Sequence, residues 1–415
     1  GGSINGSAAF DFSGSAISMS QDGTRVAIGA SLSDGTGKTN DGHVRVFGWD
    51  SGSSSWDQVG ADIDGEDALD QFGRAVSLSH HGEHVAIGAP FWSDTEKQKG
   101  RVRVFDYDSV SWNQLGPNID PDTEEESDWY WFGWKLSMST VNSVKLAVAA
   151  FKDDASGNKN GIIRVFRFAD ARKIWQQYGG DILEENVGDE SGFSLVLADE
   201  GGALAVGSAF NNNTDKESTG HVRIFTYNTT SKDWSQKGSD IDGTLAFEYA
   251  GSSLALANDD PDGDDDDDDD DFTIVAVGAP GAYESRGRVA VYKWDTGAEE
   301  WSQKGDYLYG DNDGDQFGFS VSLSTNGTRL TVGAKQNDAA GDNSGSVRVY
   351  DWKIDTMKWV AVSLDILAEA TGDAAGFAVS MAGDGSRVAI AAPESDANGT
   401  DSGQVRVYEL ERWDA

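Results

Sequence analysis

The chain has 415 residues, no cysteine, and 71 Asp and Glu residues against 32 Lys and Arg, which gives a formal net charge of -39. The absence of cysteine excludes disulfide bonds, thiolate metal sites and cysteine nucleophiles. So acidic a surface repels nucleic acids and anionic membranes and attracts cations, and no apolar run approaches the roughly 18 residues that a membrane helix needs. We therefore expect no nucleic-acid partner and no direct membrane insertion.

A single sequence block is repeated along the whole chain. Each copy opens with a glycine, and the copies of this glycine are Gly14, Gly73, Gly133, Gly192, Gly251, Gly318 and Gly376. A tryptophan opens the last segment of each copy: Trp56, Trp112, Trp175, Trp234, Trp301, Trp359 and Trp413. Glycines and tryptophans in one common register indicate seven copies of one structural unit.

Each copy contains four segments with the pattern of a β-strand, as the second copy illustrates. Residues 75–79 alternate between apolar and small or polar side chains, whereas 85–90 are almost all apolar, as a strand buried on both faces requires. Residues 102–105 and 112–119 alternate again, and a turn at Gly82 separates the first two segments. No stretch has helical periodicity. The sequence therefore predicts an all-β, seven-bladed β-propeller with four antiparallel strands per blade.

The whole chain, residues 1–415, is predicted to be one propeller. The predicted blades are 8–65, 66–121, 122–183, 184–243, 244–309, 310–367, and finally 368–415 together with 1–7. The last blade is divided because the first residues repeat a later junction, so that Ile4 and Gly6 match Ile63 and Gly65. Both chain ends are therefore expected to close it, with Trp413 beginning its fourth strand, which removes two exposed sheet edges. Since the chain starts without methionine, we expect a processed chain or a piece of a larger one.

Two short motifs carry a resemblance to a known family. A phenylalanine precedes the opening glycine at Phe72, Phe132 and Phe317, and Gly-Ala-Pro ends the second strand at residues 88–90 and 278–280. These motifs resemble the FG-GAP repeat of the integrin α-subunit propeller, and the resemblance covers essentially the whole chain. It implies an extracellular or cell-surface propeller used in adhesion or ligand recognition, although such a fold alone does not specify function.

One loop has the pattern of a calcium site. Integrin propellers carry loops of the form D-x-D-x-D-G-x-x-D between the first and second strands, and here only the fifth copy has one, with Asn258, Asp260, Asp262 and Asp266 at the ligand positions. Calcium takes about six to eight oxygen ligands, which alternate side chains of a curling loop can supply. We therefore expect calcium as a structural ion. The alternative is a disordered acidic spacer, because residues 264–271 are consecutive aspartates that repel one another.

Unusual aromatic side chains stand in loops that a propeller places on one face, namely the loops from second to third strands and the loops between blades. They are Phe91, Trp92, Trp129, Tyr130, Trp131 and Phe151. Exposed aromatic rings contact sugar rings or the apolar anchors of protein partners. This face at blades 2 and 3 is the predicted ligand-binding surface. The alternative is that these side chains cover a gap at an irregular blade junction.

Two further sets of polar residues have a predicted role. The Asn-x-Ser/Thr sequons, which are candidate glycosylation sites and are consistent with secretion, lie at Asn5, Asn212, Asn228, Asn326 and Asn398. The acidic loops that join the blades, which include Asp70 and Asp315, are expected to form Asx turns rather than calcium sites.

No catalytic motif emerges: there is no G-x-S-x-G elbow, no H-E-x-x-H pair and no glycine-rich phosphate loop. We expect an extracellular or cell-surface binding or adhesion module rather than an enzyme, with a protein or a glycan as its partner. The first alternative is a structural subunit of an extracellular filament, sheath or matrix, which would associate with itself. The second is a carbohydrate-active enzyme built on a propeller.

Overall fold

Seven antiparallel sheets are arranged in a ring in the computed structural model of the chain. The structure describes residues 2–34, 38–93, 98–121, 131–141, 143–153, 159–212, 216–258, 273–362 and 364–411, and only the backbone of residues 152, 153, 159 and 160. The first strands of neighbouring blades contact one another around the ring, so they line its axis. The predicted seven-bladed propeller with four strands per blade is confirmed.

The first three blades follow one another along the chain after a short strand, β1 (Ile4–Asn5), which belongs to the last blade. Blade 1 consists of β2 (Ala16–Met19), β3 (Arg25–Ala30), β4 (His43–Asp50), β5 (Ser55–Gln58) and β6 (Ile63–Asp64). Blade 2 consists of β7 (Ala75–Leu78), β8 (His84–Ala89), β9 (Arg101–Tyr107) and β10 (Trp112–Gln114). Blade 3 consists of β11 (Lys135–Ser139), β12 (Lys145–Asp153), β13 (Lys159–Ala169), β14 (Ile174–Gln177) and β15 (Ile182–Leu183).

The other four blades repeat this order. Blade 4 consists of β16 (Ser194–Leu197), β17 (Ala203–Ser208), β18 (His221–Asn228), β19 (Asp233–Gln236) and β20 (Ile241–Asp242). Blade 5 consists of β21 (Ser253–Ala257), β22 (Ile274–Ala279), the helical turn α1 (Ala282–Ser285), β23 (Arg288–Asp295), β24 (Glu300–Gln303) and β25 (Leu308–Tyr309). Blade 6 consists of β26 (Phe317–Leu323), β27 (Arg329–Ala334), β28 (Ser346–Lys353), β29 (Lys358–Ala361) and β30 (Ile366–Leu367). Blade 7 consists of β31 (Ala378–Met381), β32 (Arg387–Ala392), β33 (Gln404–Glu409) and β1.

The fourth strand of most blades is divided in two by a glycine, which the sequence did not predict. In blade 1, β5 pairs with one half of β4 and β6 pairs with the other half. Gly60 lies between them with φ of 76°, a conformation that glycine adopts without strain. A Cβ at this position would lie 2.8 Å from the Trp112 ring of blade 2. The glycine therefore bends the strand and lets the next blade approach.

The glycine that opens each copy, called the signature glycine below, and the phenylalanine before it pack each blade against the next. Phe72 is buried with Val44 and Ile87 in the apolar core between blades 1 and 2. A Cβ on Gly29, the blade 1 counterpart of Gly88, would lie 2.1 Å from the carbonyl oxygen of Gly73. Glycines at these two positions therefore let the two backbones meet. The core of the molecule consequently lies between blades, since each blade must bury its faces against two neighbours.

Two sets of repeated hydrogen bonds also join the blades. Near the axis, a serine hydroxyl accepts a backbone N–H from the first strand of the next blade, as Ser77 Oγ does from Met138 at 2.9 Å. The serines in this role are Ser18, Ser77, Ser137, Ser322 and Ser380. At the rim, the repeated tryptophan donates its indole N–H to a backbone oxygen of the preceding blade, as Trp112 does to Val59 at 2.8 Å.

The ring is closed by the N-terminal residues. Ile4 of β1 pairs with Val405 of β33, as Ile63 pairs with Val44 in blade 1. The Asn398 side-chain amide donates to Gly6 O at 2.9 Å and holds this segment in place. The predicted closure of the last blade by the N-terminus is confirmed, whereas Trp413 lies outside the described residues.

Candidate ligand-binding site

A cavity of about 590 Å³ lies on the propeller axis. Its wall includes residues at the start of each first strand, such as Arg74, and residues that follow second strands, such as Phe210 and Pro280. First strands begin, and second strands end, on the face that also carries the loops between blades, which we call the loop face. The cavity, called the axial cavity below, therefore lies at the loop face.

A hydrogen-bonded bridge crosses the channel near the opposite face. The Gln21 side chain of blade 1 donates to Asp199 Oδ2 of blade 4 at 2.6 Å and accepts from Thr325 Oγ1 of blade 6 at 2.8 Å. Burial raises the pKa of Asp199. Because this bridge spans the axis, it obstructs the channel on the side opposite the loop face.

Aromatic side chains form much of the cavity wall. Trp134, Phe193, Phe319 and Phe377 occupy the same place in their repeats, directly after the signature glycine, and each lines the cavity. The Phe319 and Phe377 rings lie 5.3 Å apart between centroids. Phe193 contacts Phe210 at 5.5 Å. These rings are partly exposed, so they offer apolar faces to a ligand.

Positive charge is concentrated in the same place. Arg74 lies over the Trp134 ring at 4.4 Å, and the Lys335 ammonium lies over the Phe319 ring at 3.9 Å. Such cation–π contacts stabilise a desolvated cation. Burial, together with the charge of Arg74, lowers the pKa of Lys135 to about 8. Among the described residues, the side chains of Arg74 and Lys135 have no hydrogen bond to an acceptor and no ion pair, and no Asp or Glu lines the cavity.

Some of the aromatic residues predicted to bind a ligand lie beside the axial cavity, and others are buried. Phe91 and Trp131 contact each other at 5.9 Å and both contact Trp134, so this part of the predicted surface is continuous with the axial cavity. Trp92 is buried at 8% exposure beneath Arg101, and Phe151 is buried at 2% exposure behind Trp134. The expectation that these last two are exposed is wrong, because both belong to packed layers around their blades.

The remaining predicted aromatics, Trp129 and Tyr130, lie outside the described residues. Sequence reasoning missed Trp134, Arg74 and Lys135, which line the axial cavity. A comparison of the residues that directly follow the signature glycine would have found them, since several blades have serine or alanine at these positions.

Of the four predicted calcium ligands, the structure describes only Asn258. Asp260, Asp262 and Asp266 lie outside the described residues. The backbone N–H of Asn258 donates to Thr325 O of blade 6 at 2.8 Å. The side-chain oxygen of Asn258 is buried without a hydrogen-bond partner among the described residues. An oxygen in this state is compatible with a cation ligand.

A second group of possible metal ligands occurs in blade 4. One atom each of Glu185, His221 and Asp240 lies within 4.8 Å of the others. Burial lowers the pKa of His221, which favours the neutral imidazole. The Arg223 guanidinium lies 3.7 Å from Glu185, so the group already contains a compensating cation.

The sequon asparagines differ in their surroundings. Asn5, Asn212, Asn228 and Asn398 are exposed, whereas Asn326 is half-buried in a hairpin. The Asn398 amide nitrogen, the atom that glycosylation would modify, already donates to Gly6 O and Ser7 O. Use of all five as glycosylation sites stays a prediction.

The buried acids at the blade junctions form turns, as expected. Asp70 Oδ2 accepts the backbone N–H of Asp67 at 3.0 Å, and Asp315 Oδ2 accepts that of Asn312 at 2.9 Å. Both carboxylates are 3% exposed. They stabilise the junction loops and therefore do not face a ligand.

Comparisons with known proteins agree with this architecture. The FG-GAP repeat family matches residues 310–350, which form most of blade 6. No curated protein matches the sequence. Among solved structures, a periplasmic gluconolactonase from Pseudomonas aeruginosa is 13% identical with a TM-score of 0.53, covering 86% of this chain and 85% of that chain. Sqt1 from Chaetomium thermophilum is 14% identical with a TM-score of 0.52, covering 99% and 91%.

Identities this low show the fold alone. The protein is a seven-bladed β-propeller, and its residues 310–350 match the FG-GAP repeat family. Within the part of the chain that the structure describes, no helix is long and apolar enough to cross a membrane.

Proposed function

We propose that this protein is an extracellular or cell-surface binding module that recognises a protein or glycan partner through its loop face. The observation that carries the proposal is the axial cavity, whose aromatic wall opens on that face and continues outward through Phe91 and Trp131. Concave sites with an apolar wall and a few polar groups are the usual form of a ligand-binding site.

Binding is favoured over catalysis by the composition of the cavity wall. The described residues that line it include no carboxylate and no imidazole, the groups that most often transfer protons in enzymes. The gluconolactonase shares the propeller architecture at 13% identity, which supports a common fold and no common activity.

We also propose calcium as a structural ion of the fifth-blade hairpin. The spacing of Asn258, Asp260, Asp262 and Asp266 supports it, as does the unpartnered side-chain oxygen of Asn258. The ion would join blade 5 to blade 6, because the hairpin begins at the hydrogen bond from Asn258 to Thr325.

A structural subunit that associates with itself is the second candidate. Large apolar side chains are exposed at the outer edge of blade 6: Ile354, Met357, Val360, Leu364 and Leu367. Val360 lies on the outer strand β29. Exposed apolar groups concentrated at one sheet edge favour contact with another chain.

A glycan array probed with the labelled protein tests the first proposal. We expect binding by the wild type and its loss in Phe319→Ser and Phe377→Ser, which remove one aromatic wall. Both variants should fold, because Ser15 and Ser252 occupy the equivalent positions in blades 1 and 5. Val110→Ser is the control, since Val110 is 79% exposed in a distant hairpin.

Three outcomes would count against this proposal. Glycan binding that survives both phenylalanine substitutions would show that the axial cavity is not the site. Concentration-dependent self-association without binding to any array glycan or to matrix proteins would favour the structural subunit. Cleavage of an array glycan by the wild type would favour the enzyme.

A further inference from the structure

The charge of the axial cavity is opposite to that of the protein. The chain has a formal net charge of -39, yet the described residues that line this cavity include Arg74 and Lys135 and no Asp or Glu. A partly buried cation without a counter-charge is costly. The arrangement is explained if an anionic group binds there, because it would compensate both charges.

The fold itself does not require these two cations. At the first position after the signature glycine, blades 1 and 5 have Ser15 and Ser252 where blade 2 has Arg74. At the second position, the residues other than Lys135 are small: Ala16, Ala75, Ser194, Ser253, Ser320 and Ala378. The exceptional residues stand on adjacent blades, and the effect of Arg74 on the pKa of Lys135 indicates that their charges are close.

The rest of the wall suits a sugar. Ser15, Ser252 and Ser285 line the cavity together with the aromatic rings. The hydroxyls of Ser15 and Ser252 donate to backbone oxygens, so their remaining capacity toward a ligand is as acceptors. A hydroxyl oxygen that already donates can still accept a hydrogen bond, which matches a ligand whose own hydroxyls donate. Blades 2 and 3 supply the cations, whereas blades 6 and 7 supply the Phe319 and Phe377 rings on another part of the wall. The cavity of about 590 Å³ has the size of a small-molecule site.

We propose that the axial cavity binds an acidic sugar, with the carboxylate or sulfate at Arg74 and Lys135 and the sugar ring against the aromatic wall. The guanidinium of Arg74 can form two parallel hydrogen bonds with either anion. The inference rests on the proposed binding function, since it names the ligand class of the same site.

Calorimetric titration with matched ligands tests this inference. The probes are trigalacturonate and a sulfated galactose trisaccharide, each compared with its neutral counterpart, the methyl ester and the unsulfated trisaccharide. We expect at least one acidic probe to bind about tenfold or more tightly than its neutral counterpart. A preference for only one of them identifies a uronate or a sulfated sugar.

Variants identify the residues responsible. Arg74→Ser and Lys135→Ser should each weaken binding of the acidic probe about tenfold and leave binding of the neutral probe unchanged. Lys358→Ser, on the outer strand of blade 6, is the control and should change the affinity for neither probe. Both test substitutions introduce a residue that other blades carry at that position, so they should fold.

The inference is wrong if neither acidic probe binds better than its neutral counterpart, or if Arg74→Ser and Lys135→Ser leave acidic-probe binding intact. The proposed binding function would survive this result if a neutral glycan or a protein still required Phe319 and Phe377. If neither the cation variants nor the phenylalanine variants weaken binding, the axial cavity is not the binding site.

Discussion

Buried carboxylates recur at the junctions between blades. The position three residues before the signature glycine is a buried acid in six blades. These acids are Asp11, Asp70, Asp189, Glu248, Asp315 and Asp373. Burial is the main cause that raises the pKa of Asp70, to about 7, and it also raises the pKa of Asp373 and of Glu248. At Asp70, Asp373 and Glu248, burial consequently favours the protonated acid.

This makes stability depend on pH with a defined sign. A carboxyl whose pKa is higher in the folded than in the unfolded chain contributes stability at acidic pH, and this contribution is lost as the pH rises. For Asp70 the loss occurs between about pH 4 and pH 7. We expect the protein to be more stable near pH 5 than near pH 7.5. Asp70→Asn, which still accepts the Asp67 N–H, should reduce this difference by up to about 2.5 kcal/mol, because about two of the pKa units lie between these pH values.

Urea unfolding of both proteins at the two pH values measures the effect. Asp313→Asn is the control, because Asp313 is exposed in an equivalent junction. An unchanged pH dependence in Asp70→Asn would mean that this carboxyl is already ionised in the folded protein.

Repetition explains how much of the fold and of the site could be predicted. The common register of glycines, strands and tryptophans predicted the blades, and the match of Ile4 with Ile63 predicted the closure. The axial cavity was missed because its residues, such as Arg74 and Phe319, differ between blades. Only the closed ring brings these unlike residues, distant in sequence, to one axis, so no pattern within a single repeat predicts them.

At the scale of a single element, the hairpin between β21 and β22 is the feature that departs most from its repeats. The other first hairpins are short turns, whereas this one contains residues 258–273. A loop of this length with many like charges is costly to order unless a cation compensates the charge. Its order should therefore depend on calcium.

Thermal melting with calcium and with excess chelator tests this dependence. A ligand that binds only the folded protein stabilises it by about 2.7 kcal/mol at 100 times its dissociation constant, so calcium should raise the midpoint. Asp260→Ala and Asp262→Ala should abolish the rise, and Asp355→Ala, in an exposed hairpin of blade 6, should retain it. An equal rise in all variants would place the ion elsewhere, and no rise in the wild type would mean an acidic spacer.

At the scale of the whole molecule, stability depends on contacts between blades. The serine hydroxyls near the axis and the tryptophan indoles at the rim each join a blade to its neighbour, and each apolar core cluster lies largely between two blades. The serine position is occupied by Val196 in blade 4 and Ala255 in blade 5, which cannot accept this hydrogen bond. A ring built in this way depends on every junction, including the one that the N-terminal strand completes.

Removing residues 1–7 should therefore lower the melting temperature of the whole propeller. The deletion leaves β33 without its partner β1 and removes Ile4, which is 6% exposed in the core between blades 7 and 1. Ile4→Ala should cost about 2–5 kcal/mol. Ile63→Ala should cost as much, because Ile63 is equally buried in the equivalent position of blade 1.

Melting curves and limited proteolysis of the deletion and of both isoleucine variants measure these effects, with the exposed Val110→Ala as the control. Equal losses at Ile4 and Ile63 would mean that the chain terminus is held as firmly as an internal strand, since the same antiparallel pairing and the same burial act at both. A single cooperative transition at a lower temperature would show that one unclosed blade weakens all seven. An unchanged melting temperature in the deletion would contradict closure through β1 and would mean that blade 7 is stable with three strands.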